Sequence, residues 1–478
     1  MKESLQNKTL KGMIWNFTES FSLQGVQFFI GILMARVLSP SDYGMIGMLA
    51  VFIAVSQSFI DSGFTKALIR KVNRTDLDFS TVFYFNIVIS FIFYILLFFL
   101  APYISTFYKT PILEKLIKVV AIPLVINSLF AIQQTRFLIE MDFKTQAKIS
   151  FLSSVVTGIS GIILAYRGFG VWALAYSGVI GAIVRASLYW MNSRWIPKWN
   201  FSMKSLQEMF FFGSNLLVSG LLDTIYKNIY PIVIGKKFAS IDLGYYSRAD
   251  GYSQLPATTI AGIMGRVTFP MLCQINNDNE RLRRVYRQMI RLSAFIVFPL
   301  MIGLAILARP LILVMITDKW EPSIIMLQIL CLALMWYPIH GLNLNLLQVK
   351  GRSDLFLRLE VLKKILGVLI LCISSPFGII YMCIGQVVSS LLCLIINTYY
   401  TGVLIHVGLW CQMRDLFPIL CYCLMMAIVV WGGTFMLSSN FLKLLIGIPL
   451  GGFTYILIAY LTKSRDLSYL LLLIKKER

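Results

Sequence analysis

The chain has 478 residues, of which 58% are hydrophobic and only 14% are charged, and its mean hydropathy is +0.76. A water-soluble protein needs more polar residues to cover its surface, so this composition excludes a soluble enzyme and predicts a polytopic membrane protein. The net charge of +21 does not indicate a nucleic-acid partner, because the basic residues lie in short segments between apolar runs and there encode membrane orientation.

Fourteen apolar segments are long enough to cross roughly 30 Å of hydrocarbon, which takes about 20 helical residues. They lie at about 14–36, 44–64, 81–104, 115–135, 149–166, 170–191, 210–234, 246–270, 290–312, 325–348, 359–376, 378–401, 416–437 and 441–462. The eleventh and twelfth are so close that one helix followed by a re-entrant segment is the alternative there. Basic residues concentrate in alternate connections, which predicts that the N- and C-termini both lie in the cytoplasm.

Few other polar residues in the sequence indicate a disulfide, a metal site or a proton relay. Eight cysteines, mostly in apolar segments, are interpreted as small core residues rather than disulfides, and no metal-ligand spacing is present. His340 and His406 are interpreted as hydrogen-bonded or interfacial side chains rather than proton relays. The basic segment 274–291, with five arginines, is expected to be an inner loop that contacts anionic lipid.

A motif recurs after 200 residues, at the ends of the first and seventh spans. A basic residue, an aspartate and a glycine match in each copy: Arg36, Asp42 and Gly44, then Lys236, Asp242 and Gly244. The aspartate is expected to cap the next helix and the glycine to relieve the backbone of a short outer turn. The sequence therefore predicts two six-helix bundles in parallel repeat, 1–205 and 206–405, followed by two accessory transmembrane helices and a cytoplasmic tail, 406–478.

The stretch 212–266 opens the second repeat and carries charges inside predicted spans. Asp223 and Lys227 are the deepest and lie four residues apart, on one helix face. A charge near the bilayer centre costs about 2.5–3.5 kcal/mol or more, so these side chains are expected to face protein, water or a ligand. The first span shows a matching polar face, and Gln27 is the repeat-mate of Lys227. The two faces predict an aqueous vestibule, with interhelical hydrogen bonding as the alternative.

Several short motifs resemble a known family. They are Gly31 to Gly44, Phe59 to Phe64, Leu243 to Asp250, Leu255-Pro256, Phe269-Pro270, Arg281 to Tyr286, and Asp318 to Pro322. Together they resemble the Wzx-type lipid-linked oligosaccharide flippases and polysaccharide exporters of the MOP superfamily, in particular the colanic acid exporter-like branch. The resemblance implies an all-α, MATE-like fold. It also implies transfer of an undecaprenyl-diphosphate-linked oligosaccharide from the inner to the outer leaflet by alternating access, for O-antigen, capsule or exopolysaccharide synthesis.

The resemblance also gives roles to the polar residues. The candidate substrate-binding residues are of two kinds. The cations assigned to the diphosphate are Lys227, Arg248, Arg266 and Arg185. The uncharged candidates are Gln24, Gln27, Tyr226 and Tyr230. The candidates for Na⁺ or H⁺ coupling are Asp223, Glu19, Asp250 and Asp61. No other cofactor, metal or catalytic residue is expected. The implied partners are the lipid-linked substrate, membrane lipids, a polysaccharide polymerase and glycosyltransferases. Arg185, Arg248, Arg266 and Asp61 lie near span ends, where snorkelling to the surface is the alternative.

Two other functions remain open. A MATE-type multidrug or cation antiporter would share the fold but needs an acidic, mainly apolar pocket. A membrane polysaccharide polymerase or ligase would need catalytic side chains on a long outer loop, and the predicted outer loops are all short. A non-enzymatic flippase is the expectation.

Overall fold

A computed structural model describes residues 22–61, 64–71 and 73–476, and the chain in these ranges is built from α-helices and short connections. Two compact units meet in the sequence at Gly244 and Tyr245. The predicted boundaries at 205 and 405 refer to the internal repeat and stay a prediction.

Within the described residues, the first unit contains eleven helices and the start of a twelfth. They are α1 Ser22–Val37, α2 Pro40–Asp61, α3 Phe64–Arg70, α4 Asp76–Tyr108, α5 Ile112–Val120, α6 Ile122–Ser128, α7 Ala131–Ile139, α8 Phe143–Tyr166, α9 Val171–Asn192, α10 Met203–Lys227, α11 Ile229–Lys237 and α12 Ser240–Gln274.

The second unit holds the rest of α12 and nine further α-helices. They are α13 Asn279–Ile306, α14 Ala308–Ile316, α15 Ser323–Leu334, α16 Tyr337–Val349, α17 Ser353–Ser374, α18 Ile379–Ile405, α19 Leu409–Phe435, α20 Asn440–Leu461 and α21 Arg465–Lys476. Two 3₁₀ turns, Asp318–Trp320 and Ser375–Phe377, connect neighbouring helices.

In the described residues, each predicted span coincides with one helix or with helices separated by short interruptions, and the part of the first span before residue 22 lies outside the described residues. Among the described residues, nine helical stretches are long and apolar enough to cross a membrane. A tenth arises if α5–α6 and α7, bent by 44°, form one span. The other four predicted spans coincide with α1, with α10 and α11, with α12 and with α17, which are shorter in the described part or more polar. The eleventh and twelfth predicted spans are two separate long helices, α17 and α18, rather than one helix and a re-entrant segment.

The repeated motif caps a helix in both copies. The Asp42 carboxylate accepts a hydrogen bond from the Ser39 backbone N–H at 2.8 Å, at the start of α2. The Asp242 carboxylate accepts from the Ala239 backbone N–H at 3.2 Å, at the start of α12. The predicted capping role of both aspartates is therefore confirmed.

The role expected for the two repeat glycines was wrong. Gly44 and Gly244 are helical and neither has a positive φ, so they relieve no turn. A Cβ on Gly44 would lie 1.7 Å from the Ser240 carbonyl oxygen, and one on Gly244 would lie 1.8 Å from the Pro40 carbonyl oxygen. The Ser41 and Ser240 hydroxyls are 2.7 Å apart in the same contact. Each glycine is therefore required because the other repeat's backbone approaches it closely.

A buried carboxylate anchors the beginning of α10 to α4. Asp78 is 3% exposed and completes the N-terminal capping box of α4 with Thr75. It accepts hydrogen bonds from the Lys71 ammonium at 2.8 Å and from the Ser205 hydroxyl on α10. The hydrogen bond with Asp78 raises the pKa of Lys71 above its usual value. The connection between α9 and α10 also binds α4, because the Lys198 backbone N–H donates to the Ser80 hydroxyl at 3.1 Å.

The basic segment 274–291 is mostly helical, which corrects the expectation of a loop. The side chain of Asp278 caps α13 by accepting from the Arg281 backbone N–H at 3.0 Å. Because of this cap and the good helix propensity of arginine, α13 already begins at Asn279. Its arginines are therefore held on a helix surface.

Buried polar side chains of the second unit are hydrogen-bonded to one another. Asn343 on α16 accepts from the Tyr286 hydroxyl at 3.0 Å, from the Gln412 amide at 2.9 Å and from the Thr401 hydroxyl at 3.1 Å. His340 lies 3.1 Å from the Ser390 hydroxyl and 3.3 Å from the Asn397 amide, so its interpretation as a hydrogen-bonded side chain is confirmed. All eight cysteines are free thiols, and three of them are buried.

Candidate functional site

The deepest predicted charges form an ion pair on α10. The Lys227 ammonium lies 3.0 Å from the Asp223 carboxylate, one helical turn away. Their side chains are 72% and 45% exposed, so neither is packed into the core of the first unit. Pairing lowers the cost of keeping each charge at membrane depth, while exposure leaves the ammonium donors accessible to a ligand.

The helix is interrupted immediately after Lys227. Asn228 ends α10, where its side-chain amide donates to the Thr224 carbonyl at 2.8 Å, and α11 begins at Ile229. Lys227 therefore lies in the last turn of α10, close to carbonyl groups at the negative end of the helix dipole.

The neighbouring end of α2 faces the same turn of α10. The hydroxyls of Ser58 and Thr224 lie 2.9 Å apart. One turn further along α2, the Asp61 carboxylate accepts from the Gln57 amide at 2.8 Å. The structure thus brings the α2 segment that contains Asp61 against the α10 segment that contains Asp223. Ser58 and Thr224 could not be identified from the sequence, because an isolated hydroxyl in an apolar helix is common and usually bonds to its own backbone.

The other predicted residues of the first unit are spread over four helices. Gln27 on α1 is exposed and Gln24 on the same helix is half-buried. Tyr226 on α10 and Tyr230 on α11 are both half-buried. Arg185 donates from Nε to the Ser153 hydroxyl at 3.3 Å, so one of its five N–H donors is used between α8 and α9. Glu19, like the rest of residues 1–21, lies outside the described residues.

Three predicted residues belong to the second unit, all on α12. The Arg248 guanidinium lies 5.7 Å from the centre of the Trp320 ring, within cation–π distance, and Trp320 is fully buried. Asp250 accepts a hydrogen bond from the Gln254 amide at 2.7 Å. Arg266 is exposed. This contact lies between two of the short motifs described above, Leu243 to Asp250 and Asp318 to Pro322, and it restricts the position of the Arg248 guanidinium.

The candidate site on α10 and α11 carries both charged and uncharged polar side chains. Asp223 and Lys227 provide a carboxylate and an ammonium group that form an ion pair. Tyr226 lies on the same helix, α10, and Tyr230 lies on the next one, α11. Such groups suit recognition of phosphate and sugar hydroxyls by charge-assisted and neutral hydrogen bonds. Their assignments to substrate and to cation stay predictions.

The sequence matches a model of one protein family over residues 33–325, more than half of the chain, and this family is described as polysaccharide biosynthesis protein. The chain is 25% identical to the teichuronic acid biosynthesis protein TuaB of Bacillus subtilis, over 74% of this chain and 73% of that protein. It is 24% identical to the lipopolysaccharide biosynthesis protein WzxC of Escherichia coli, over 83% of this chain and 80% of that protein. It is also 23% identical to the succinoglycan biosynthesis transport protein ExoT of Rhizobium meliloti, over 67% of this chain and 65% of that protein.

Solved structures share the fold. The lipid II flippase MurJ in its inward closed conformation superposes with a TM-score of 0.78 at 17% identity, over 95% of this chain and 99% of MurJ. An inward-facing multidrug resistance MATE transporter of the MOP superfamily superposes with a TM-score of 0.62 at 16% identity, over 79% of this chain and 95% of that one. The MATE-like, all-α fold is therefore confirmed. The chain is a multi-pass membrane protein that belongs to the polysaccharide biosynthesis protein family.

Proposed function

We propose that the chain transfers an undecaprenyl-diphosphate-linked oligosaccharide from the inner to the outer leaflet of the bacterial inner membrane, for surface polysaccharide synthesis. The observation that carries the proposal is the exposed Asp223–Lys227 pair at the interrupted end of α10, inside a chain of this family. A lipid-linked diphosphate needs a cationic partner at membrane depth, and Lys227 supplies one. The names of WzxC, TuaB and ExoT support the pathway, and MurJ supports a lipid-linked substrate.

The mechanism proposed is alternating access without covalent chemistry. Lys227 binds the diphosphate by charge-assisted hydrogen bonds, with Arg185 as a second candidate partner in the first unit. Arg248 and Arg266 of the second unit are separate candidates for phosphate binding. Gln24 and Gln27, with Tyr226 and Tyr230, contact the sugars, and the polyprenyl tail stays in the bilayer. The protein lowers the barrier for the headgroup to cross, and no bond of the substrate is made or broken.

Energy is proposed to come from a Na⁺ or H⁺ gradient. Asp223 is the principal candidate for coupling, with Asp250 and Asp61 as further carboxylates and Glu19 as a fourth. When a cation or proton neutralises Asp223, the salt bridge to Lys227 weakens and the ammonium becomes more available to the diphosphate. Asp223→Asn is expected to retain substrate binding but to lose the dependence of transport on the gradient.

We also propose an orientation of the chain in the membrane and the proteins that supply and receive its substrate. Both termini lie in the cytoplasm, as the distribution of basic residues favours. The substrate arrives from cytoplasmic glycosyltransferases and leaves for a polysaccharide polymerase on the outer side.

The test is transport by the full chain in proteoliposomes. Vesicles receive a lipid-linked oligosaccharide in both leaflets, and a membrane-impermeant glycosidase reports how much reaches the exposed leaflet with and without a Na⁺ or H⁺ gradient. Faster exposure in vesicles with the protein is the expected result. If the protein instead drives efflux of cationic dyes and leaves the oligosaccharide in place, the antiporter function replaces this proposal. Cleavage or extension of the sugar chain would indicate an enzyme.

A further inference from the structure

A second charged site lies in the second unit, and none of its residues is a candidate for binding the substrate or a coupling cation. Three segments line a cavity of about 250 Å³: α13 at Arg291, the first half of α19, and the turn between α20 and α21. We call it the C-terminal basic cavity, and its cations are Arg291, Arg414, Lys463 and Arg465.

Both carboxylates of the cavity are neutralised by arginines of α13. Arg287 binds Asp415 through two parallel hydrogen bonds of 2.7 and 2.6 Å. The Arg291 guanidinium lies 3.2 Å from the Asp466 carboxylate. The two acidic side chains are only 7% and 10% exposed. Their charges are therefore used to hold α19 and α21 against α13 and are not available to a ligand.

Three cations of the cavity make no ion pair of their own among the described residues. Arg414, Lys463 and Arg465 are exposed, and none makes an ion pair with another residue in the part of the chain that the structure describes. Three positive charges converging on one cavity repel one another unless an anion or water screens them. Because the carboxylates are already paired, the cavity presents a net positive site.

The backbone places one of these cations at a conformational cost. Lys463 has a φ of 51°, in the left-handed region that glycine normally occupies after a helix. The turn is closed by the Ser464 backbone N–H, which donates to the Ala459 carbonyl at 2.9 Å. A lysine in this position is less favourable than a glycine, and such strain is typical of positions kept for function. The same turn also presents Arg465.

The surroundings of the cavity indicate a ligand that is anchored in the membrane. α20, which ends at Leu461, is one of the helices apolar enough to span a bilayer. Apolar side chains beside the cations are strongly exposed: Phe417 by 65%, Tyr460 by 69% and Leu461 by 69%. A ligand with a phosphate headgroup and hydrocarbon chains satisfies the cations and covers these side chains together. Basic pockets between membrane helices at the cytoplasmic side bind such headgroups.

We infer that the C-terminal basic cavity binds the phosphodiester headgroup of an anionic phospholipid, whose acyl chains lie along the exposed apolar side chains of α19 and α20. Arg414, Lys463 and Arg465 contact the phosphate, while the pairs Arg287–Asp415 and Arg291–Asp466 hold the three helices in place. The site binds a structural lipid, and this inference does not depend on the transport proposal.

The test measures binding by the full chain in membranes of defined composition. The purified protein is placed in phosphatidylcholine bilayers with or without phosphatidylglycerol, and bound lipid is counted by native mass spectrometry after mild detergent extraction. Preferential retention of phosphatidylglycerol is expected. Each cation removed should weaken retention about fivefold, which corresponds to the typical contribution of one basic side chain near an anionic lipid surface.

The variants are Lys463→Gly and the double variant Arg414→Gln with Arg465→Gln. Lys463→Gly removes a charge and relieves the left-handed backbone, so loss of folding does not explain a loss of lipid. Lys109→Gly is the matched control, because Lys109 is also an exposed lysine with a positive φ, 53°, at the end of a helix in the first unit. Retention should fall in the cavity variants and stay unchanged in the control.

Other ligands give different results. If phosphatidylcholine is retained as well as phosphatidylglycerol, or the cavity variants retain both lipids normally, the inference is wrong. If inorganic phosphate alone displaces phosphatidylglycerol at equal concentration, the site binds free phosphate. If a polyprenyl diphosphate is retained better than phosphatidylglycerol and is lost in the same variants, the ligand is the transport substrate and not a phospholipid.

Discussion

Gly44 and Gly244 make the same contact in opposite directions: each lies against the backbone carbonyl at the start of the helix that carries the other. A Cβ would lie 1.7 Å from the Ser240 oxygen in one case and 1.8 Å from the Pro40 oxygen in the other. The two copies of the repeated motif thus pack directly on each other through the only residue type without a side chain. We expect this contact to be the part of the repeat most sensitive to substitution, because neither backbone leaves room for a side chain.

We expect Gly44→Ala to destabilise the protein by about 1–3 kcal/mol, because the added methyl group meets backbone that cannot move without separating α2 from α12. Gly178→Ala is the matched control: Gly178 is also helical, and a Cβ there has no atom within 4 Å. It should be neutral or slightly stabilising. Unfolding followed in detergent distinguishes the two. A wild-type stability for Gly44→Ala would contradict the close approach.

The hydroxyls of Ser41 and Ser240, 2.7 Å apart, allow the same contact to be trapped. A double variant with Ser41→Cys and Ser240→Cys should form an intramolecular disulfide on oxidation, since the two side chains already meet at their γ atoms and a disulfide joins the γ atoms of two cysteines. If alternating access separates these turns, oxidation should stop transport and a reductant should restore it. Each single variant serves as a control for the native thiols. Failure to cross-link under strong oxidation would show that the turns do not meet, and transport by the oxidised protein would show that they need not separate.

Lys227→Ala should abolish export of surface polysaccharide, because the proposed diphosphate partner is lost. The protein should still insert and fold, since the side chain is 72% exposed. Lys148→Ala, which removes an exposed lysine on α8, is the control and should export normally. Polysaccharide on the cell surface and protein in the membrane fraction are the two measurements.

The double variant with Asp223→Asn and Lys227→Ala separates a functional pair from a structural one. If Asp223 couples transport to a cation and Lys227 binds substrate, removing both leaves the protein as inactive as Lys227→Ala alone. Recovery of export in the double variant, after each single variant had lost it, would instead identify a salt bridge needed only for stability.

Asp78→Ala should destabilise the first unit by about 2–4 kcal/mol, because it removes a helix cap and leaves Lys71 and Ser205 without their buried partner. Asp76→Ala on the same helix is the control. Its ion pair with Lys198 is exposed on both sides, so the expected loss is about 1 kcal/mol or less. Equal losses for the two variants would mean that Asp78 does not anchor α10.

The sequence by itself determined the features that depend on local composition. Apolar length located the helices, since a span needs about 20 residues whatever surrounds it. The positions of Asp42 and Asp242 next to the starts of their helices were enough to assign them a capping role, because capping involves residues only three positions apart. The spacing of Asp223 and Lys227 placed them on one helix face, and the structure forms the pair.

Only the tertiary structure decided what depends on residues far apart in the chain. A glycine is required at position 44 because a backbone segment 196 residues away in the chain approaches it. Asp78 is an anchor because it accepts a hydrogen bond from a hydroxyl on α10. Lys463 belongs to a basic site because arginines of α19 and α21 line the same cavity. No periodicity within a helix encodes which neighbour it meets, because that choice is made by the packing of all helices together. For the same reason the sequence indicated a basic segment at 274–291, while the structure shows that two of its arginines, Arg287 and Arg291, are paired with carboxylates. The cations of the C-terminal basic cavity that make no ion pair with any described residue are Arg414, Lys463 and Arg465.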